Sequence, residues 1–114
     1  MTPTREEFKA VAEWLGAPID HWGKNDQPYF LDLDDDELCL WQPHLPGIDN
    51  QQLMASFTPD LYWTHESVVV EFGRTAELVI EIEQPHDDTQ EGRLQALASA
   101  VWQCAVQVAM EAKR

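Results

Sequence analysis

The residue types best suited to chemistry in this chain are the acids of the stretch DLDDDE, Asp32 to Glu37. Carboxylate oxygens are the ligands that Ca²⁺ and Mg²⁺ prefer in proteins, and an EF-hand loop also needs glycine at its sixth position and glutamate at its twelfth. Asp32, Asp34 and Asp36 fit the first, third and fifth positions of such a loop. Glu37 stands at the sixth and Pro43 at the twelfth. The spacing therefore favours a polar turn, and we expect neither a metal ion nor another cofactor.

Nucleophiles and general bases are scattered along the chain. The histidines show no HxxxH spacing and the cysteines no CxxC spacing: His21, His44, His65, His86, Cys39 and Cys104. Cys39 lies between leucines and Cys104 within an apolar pattern, which disfavours a reactive thiolate. Neither a phosphate-binding glycine loop nor a serine nucleophile motif occurs. We therefore predict that the protein is not an enzyme. A small divalent-metal-dependent enzyme that uses the acids from Asp32 to Glu37 is an alternative.

The charge of the chain is strongly one-sided. Its 114 residues include 21 acids and 7 basic residues, for a net charge of -14. Between Asn25 and Gly92 the only Lys or Arg is Arg74. Such a charge repels nucleic acid and anionic membranes and favours cationic partners, although it also serves solubility. We expect a protein partner, no direct nucleic-acid binding and no membrane contact.

Helical periodicity marks both ends of the chain. Thr4 and Glu7 have the spacing of a capping box ahead of an apolar stripe, so a helix begins there. Asp88 and Glu91 have the same spacing ahead of a long alanine-rich helix. Between the two, Asp49 has the spacing to cap a short helix.

Alternation with a period of two marks two hairpins. In the first, Leu31 and Leu33 alternate with acids, and Leu38 and Leu40 repeat the pattern after the turn. In the second, SVVVEFGRTAELVIEIE, the turn is expected at Gly73 to Ala76. Its second strand alternates Leu78, Ile80 and Ile82, which we place inward, with glutamates that we place outward.

This order of elements predicts a single α+β domain over residues 1–114. We expect an antiparallel sheet of about four strands, built from the two hairpins and covered by the N-terminal and the long C-terminal helix. If the hairpins pair into one sheet, their acids share a face or an edge on the scale of neighbouring strands, ~4.8 Å. A carboxylate array of that kind can compete with nucleic acid for a basic channel, although one wet face is also common in antiparallel sheets.

The candidate partner-binding residues follow from this arrangement. Seven acids of the two hairpins would supply the charge: Asp32, Asp34, Asp35, Asp36, Glu37, Glu81 and Glu83. Trp22 and Trp63 lie in polar surroundings and are candidate anchors, because a single indole ring covers a large area of a partner.

Four further segments carry a family resemblance: Trp41–Pro43, Asp49–Ser56, Val68–Glu83 and Asp88–Ala109. Together they resemble the small phage and prophage proteins of the "phage ABA sandwich" type. The last segment departs from that pattern at Trp102 and Gln103, where small residues often end the family's helix. The resemblance implies a non-enzymatic phage accessory protein with a sheet between helices. Small acidic phage accessory proteins include inhibitors of host defence, such as anti-CRISPR proteins.

The leading hypothesis is therefore an accessory protein that binds a basic, nucleic-acid-handling surface of a host-defence protein through a nucleic-acid-mimicking acidic face. A homo-oligomeric phage structural or assembly protein is the alternative, with Val79, Met110 and the apolar face of the last helix as contacts. The N-terminus is polar, and no apolar run approaches the ~20 residues that span a bilayer. The expected location is the bacterial host cytosol.

Overall fold

The computed structural model describes residues 3–17, 19–32, 34, 36–75 and 78–112. Asp35 and the end of the second predicted turn, at Ala76, lie outside the described residues. The helices are α1 (Arg5–Trp14), α2 (Ile48–Phe57) and α3 (Gln90–Ala112), with one 3₁₀ turn, Lys24–Asp26. The strands are β1 (His21–Trp22), β2 (Pro28–Asp32), β3 (Glu37–Leu40), β4 (Asp60–Trp63), β5 (Ser67–Thr75) and β6 (Leu78–Pro85).

The strands form two antiparallel sheets, in the orders β1-β2-β3 and β4-β5-β6. The α+β class and both hairpins are thereby confirmed, whereas the predicted single sheet of about four strands matches the structure only roughly, because the two hairpins belong to different sheets. Each hairpin recruits one further short strand, and among the described residues no strand pairing joins the two hairpins. The added strands are too short for a periodic signal, because β1 has two residues and β4 has four. Pairing with a neighbour, rather than local preference, makes them strands.

The helix starts agree with the sequence at α1 and differ at the other two helices. The Glu7 amide donates to Thr4 Oγ1 at 3.2 Å, and the Thr4 amide donates to the Glu7 carboxylate at 2.9 Å. At α2, Asp49 does not cap the helix, because its carboxylate accepts the Gln42 amide at 2.9 Å. Helix α2 begins after Gly47, whose backbone is in the positive-φ region that favours glycine.

At α3 the capping residue is Thr89, and the predicted pair of Asp88 and Glu91 is wrong. The Gly92 amide donates to Thr89 Oγ1 at 2.9 Å. The Thr89 amide in turn donates to the Asp87 carboxylate at 3.0 Å. Threonine therefore fills the role expected of Asp88, one residue further along the chain.

Helix α3 connects the parts of the core, because it packs against β5, β6, α1 and α2. Its buried residues include Val101, Trp102 and Cys104, and the strands contribute Val68 and Val70. A cluster of aromatic rings extends this core toward the other sheet: Phe8, Trp41, Trp102 and Phe30. Burial of side chains of this size is the main source of stability in a domain of this length.

A buried amide joins α2 to α3. The Asn50 side chain donates to the backbone oxygen of Pro43 at 2.7 Å and to that of Ala98 at 3.2 Å. Loss of such a buried, bonded polar group costs about 1–3 kcal/mol. Asn50 therefore fixes the approach of α2 and its preceding loop to α3.

The described leucines of the first hairpin lie at the surface, and Leu33 lies outside the described residues. Leu31 pairs directly with Leu38, and they are 39% and 51% exposed. The neighbouring pair, Phe30 and Cys39, lies on the other face, where the Phe30 ring is 5.1 Å from Trp41. The alternation was read correctly as a hairpin, but Phe30 rather than a leucine connects it to the core.

Of the helices that the structure describes, none combines the length and the apolar content of a bilayer-spanning segment.

Candidate partner-binding face

The β4-β5-β6 sheet has one face toward the helices and one face open. Paired residues in an antiparallel sheet lie on the same face, and successive residues alternate between faces. Asp60 pairs with Glu71 and Glu71 with Glu81, so three acids form one row across three strands. Glu83 lies in the next row, in which it pairs with Val69 and Val69 pairs with Tyr62. These four acids and Tyr62 are called the acidic face below.

The opposite face of the sheet carries the core. Val68, Val70, Ile80 and Ile82 are all buried there, on the side on which α3 packs. The inward position of Ile80 and Ile82 and the outward position of Glu81 and Glu83 are as the sequence predicts. The helices thus hold the acidic face in place from behind without covering it.

The hydrogen-bond pattern brings the glutamates of β5 and β6 close together. The His86 backbone amide donates to the Glu66 backbone carbonyl oxygen at 2.8 Å, so this cross-strand pair is of the hydrogen-bonded type. The two types of pair alternate along an antiparallel ladder, and in the non-bonded type the Cα atoms are only ~4.5 Å apart. Counting along the register from Glu66 and His86, Glu71 and Glu81 form a pair of the non-bonded type. Two like charges are therefore held in the closest cross-strand geometry.

This crowding changes the titration of Glu81 and Tyr62. The pKa of Glu81 is raised, first by a hydrogen bond with the Glu71 carboxyl, then by desolvation, and then by the charges of Glu71 and Glu83. The pKa of Tyr62 is also raised, first by desolvation and then by the same three glutamates. The neighbouring glutamates thus favour the protonated forms of Glu81 and Tyr62.

An apolar residue is buried beneath the acidic face, and a hydrogen bond fixes one of the carboxylates at its edge. Val69 is buried beneath it, although it lies on the open side of the sheet. The Ser67 hydroxyl donates to the Glu83 carboxylate at 2.9 Å, which fixes this side chain at the end of the strand. The face is consequently a positioned surface with a defined arrangement of charge.

Among the described residues, the ion pairs lie away from this face. Arg5 pairs with Asp26 at 3.1 Å, and Arg93 approaches Asp88 to 4.0 Å. Both pairs belong to the connections around α1 and α3, and both are exposed. Neither of these two ion pairs involves an acid of the β4-β5-β6 sheet.

The other predicted acids belong to the first hairpin. Asp32 is the last residue of β2 and pairs with Glu37, while Asp34 and Asp36 lie in the turn between them. Asp36 and Glu37 are exposed, and Asp36 has a positive φ of 53°. Because the hairpins lie in separate sheets, these acids do not extend the row on the acidic face.

Three members of the acidic face were missed in the sequence: Asp60, Glu71 and Tyr62. Glu71 is the polar residue that follows three valines, and its position opposite Glu81 would follow from a known turn. Asp60 and Tyr62 carry no such signal, because β4 is recognisable only from its pairing with β5.

The two candidate tryptophan anchors differ. Trp22 lies under the Arg5 guanidinium, 4.7 Å from the ring centroid, and packs against the core. Trp63, at the end of β4, is 44% exposed, and its ring is 5.5 Å from that of His86. A cavity of about 360 Å³ adjoins it, lined by Trp63, Thr64, His65, His86, Asp88 and Arg93. Trp63 is the better placed of the two to contact a partner.

Within the described residues, no group of three His, Cys, Asp or Glu side chains could hold a metal ion. Burial raises the pKa of the Cys104 thiol to about 11, so this group is protonated near neutral pH. Burial also lowers the pKa of His44. These residues lie in the core and at its border, away from the acidic face.

Searches against known protein families, curated proteins and solved structures find no match to this chain. The family resemblance of the four sequence segments therefore stays a prediction. The geometry of the acidic face is the basis for a function.

Proposed function

We propose that the protein binds a basic surface of another protein through its acidic face. The observation that carries this proposal is the directly opposed pair of Glu71 and Glu81, with Asp60 continuing the row. Like charges in directly opposite positions destabilise a sheet, and a single exchange to lysine would relieve them. A cationic partner relieves the same repulsion in the complex, which makes its binding favourable.

The partner class follows from the spacing of the charges. Neighbouring carboxylates across the row are separated by the distance between strands, ~4.8 Å, and those along one strand by ~6.8 Å. This scale is comparable to the spacing of phosphates along a nucleic acid, so a surface that holds nucleic acid offers cations in a suitable arrangement. The protein then acts by occupying that surface and needs no catalytic group.

The resemblance to phage accessory proteins extends this proposal to a biological setting. A nucleic-acid-handling complex of bacterial host defence is a partner with such a surface, and occupation of its channel would inhibit it. In that setting the protein acts in the bacterial host cytosol as an anti-CRISPR-like inhibitor.

The proposal is tested by a tagged pull-down from bacterial lysate, washed at low and at high salt, with two matched charge variants. Glu71→Lys/Glu81→Lys removes the centre of the acidic face. Asp34→Lys/Asp36→Lys changes the net charge by the same amount in the other sheet. Basic nucleic-acid-handling proteins should be retained at low salt by the native protein and the second variant, and lost by the first. Equal loss from both variants, or retention by both, would overturn the proposal.

Self-association is the second candidate, and exposed Val79 is the observation that favours it. Val79 is 60% exposed and lies on the same side of the sheet as Glu81. The face of α3 that was also proposed for this role is largely used within the core, and Met110 packs against that core. Sedimentation at several concentrations separates the two candidates, because a mimic of nucleic acid needs no self-association. A concentration-dependent oligomer that Val79→Ser dissociates would favour the second.

A further inference from the structure

We propose that the open edge of β4 accepts an extended basic segment of the partner as a further strand of the sheet. This inference rests on the proposed function, because the segment would be the part of the partner that reaches the acidic face. Among the described strands, β4 stands at the end of the order β4-β5-β6, so one of its sides has no neighbour. Addition of a strand to such an edge is a recurring mode of peptide recognition.

The phase of the hydrogen bonds shows which backbone groups are available on that side. The Thr64 backbone amide donates to the Ser67 backbone carbonyl oxygen at 2.8 Å, so Thr64 and Ser67 form a hydrogen-bonded pair of the ladder. Because pair types alternate along the ladder, Tyr62 is bonded to β5, whereas the N–H and C=O groups of Leu61 and Trp63 point to the open edge. The hydrogen bonds between β5 and β6 lead independently to the same assignment of which backbone groups of β4 face the open edge.

The side chains of β4 specify what kind of segment fits. Asp60 and Tyr62 lie on the acidic face, and an added strand would place every second residue beside them. Leu61 and Trp63 lie on the opposite side of the sheet, 38% and 44% exposed. The matching segment therefore alternates basic residues, which meet the acids, with apolar residues, which cover Leu61 and Trp63.

Charge decides between this occupant and a second copy of the chain. Pairing of two β4 edges would bring together two molecules that each carry a net charge of -14, with their acidic faces continuous. A basic segment removes that repulsion instead. A short acidic edge is also the usual protection of a sheet against aggregation, and this alternative predicts no bound segment at all.

The test uses an end-capped synthetic peptide of alternating lysine and valine as the probe. Amide hydrogen exchange is measured by NMR on the full chain, with and without the peptide. The amides of Leu61 and Trp63 should gain protection on binding, while that of Tyr62, already bonded to β5, should change little. A peptide of the same sequence that is N-methylated on the pairing edge should bind about tenfold more weakly, because it loses hydrogen bonds to β4.

Two protein variants complete the test. Leu61→Pro removes the outward amide without removing a bond to β5, since proline is tolerated on an edge strand whose N–H faces outward. Leu61→Ala shortens the side chain and keeps the amide. Affinity for the peptide should fall about tenfold further in the proline variant than in the alanine variant. Unfolding curves of both confirm that the sheet persists.

The outcomes separate this inference from the proposed function. Binding that Glu71→Lys/Glu81→Lys abolishes, but that Leu61→Pro and peptide N-methylation leave unchanged, would overturn strand addition and keep the acidic face. Absence of any peptide binding would overturn strand addition, while the pull-down with its two charge variants tests the acidic face by itself. Protection of Leu61 and Trp63 that rises with protein concentration alone would assign the edge to a second copy.

Discussion

Glu81 and Asp87 are both exposed acids, one within β6 and one on the connection to α3, yet their surroundings act in opposite directions. The Thr89 hydroxyl and amide both donate to Asp87, and these bonds lower its pKa, with smaller help from His86 and Arg93. Glu81 faces Glu71 instead, and its pKa is raised. The Asp87 carboxylate is stabilised by local hydrogen bonds, whereas the Glu81 carboxylate is destabilised by the glutamate opposite it.

The difference shows how a surplus of acids can be divided by role. An acid that receives backbone and hydroxyl hydrogen bonds stabilises the fold, and its charge is already compensated. An acid held opposite another acid stabilises nothing locally, and under the proposed function a cationic partner would compensate its charge. Net charge alone does not distinguish the two, but the cross-strand register and the caps do.

The largest expected effect is on binding of a cationic probe. Glu81→Lys should weaken the affinity for the alternating lysine–valine peptide about tenfold, because it reverses the charge at the centre of the acidic face. Glu6→Lys makes the same change of net charge on the exposed side of α1 and should change the affinity little. Titration calorimetry at two salt concentrations measures both. Equal weakening by the two variants would show that only total charge matters.

The next effect is on stability at the start of α3. Thr89→Ala removes the hydroxyl that caps the helix and bonds Asp87, and should lower the free energy of unfolding by about 1 kcal/mol. Ser56→Ala removes an exposed hydroxyl that bonds only the preceding turn of α2, and should be nearly neutral. Urea unfolding monitored by circular dichroism compares them. An unchanged midpoint for Thr89→Ala would show that the cap does not hold the helix end.

A smaller effect is expected on the stability of the protein at acidic pH. The folded-state pKa of Asp87 is lowered, so its contribution is present above the unfolded value of 3.8 and is lost as pH falls through the folded value. Asp87→Asn should therefore flatten the loss of stability below that pH. Thermal unfolding across an acidic pH series measures this, and a variant curve parallel to that of the native protein would contradict it.

The smallest effect has the opposite sign and concerns Glu81. Its folded-state pKa is raised above 4.5, so the native state binds the proton more tightly, and this contribution is lost as pH rises through the folded value. Mild acidification from neutral pH should thus stabilise the native protein slightly, and Glu81→Gln should remove this gain. Glu6→Gln, on the exposed side of α1, is the control. The same pH series would refute the crowding of Glu71 and Glu81 if Glu81→Gln left the slope unchanged.

The parts of the fold that were predictable from sequence are those with a local signal. The capping box of Thr4 and the alternation around Ile80 and Ile82 each act over a few residues, and both are present in the structure. Strand β4 was not predictable, because its four residues become a strand only by pairing with β5. The candidate site likewise has one part that the local sequence predicts and one part that depends on strand pairing. The outward direction of Glu81 follows from alternation, whereas its opposition to Glu71 depends on the register between strands.

The place of α3 in the chain has a consequence for synthesis of the protein. Both sheets precede α3, yet the buried side of β5 and β6 is covered by it. A nascent chain therefore carries Val68, Val70, Ile80 and Ile82 uncovered until the residues up to about Val108 have left the ribosome. Until then, the acids that alternate with those apolar residues keep the unfinished hairpin from joining another.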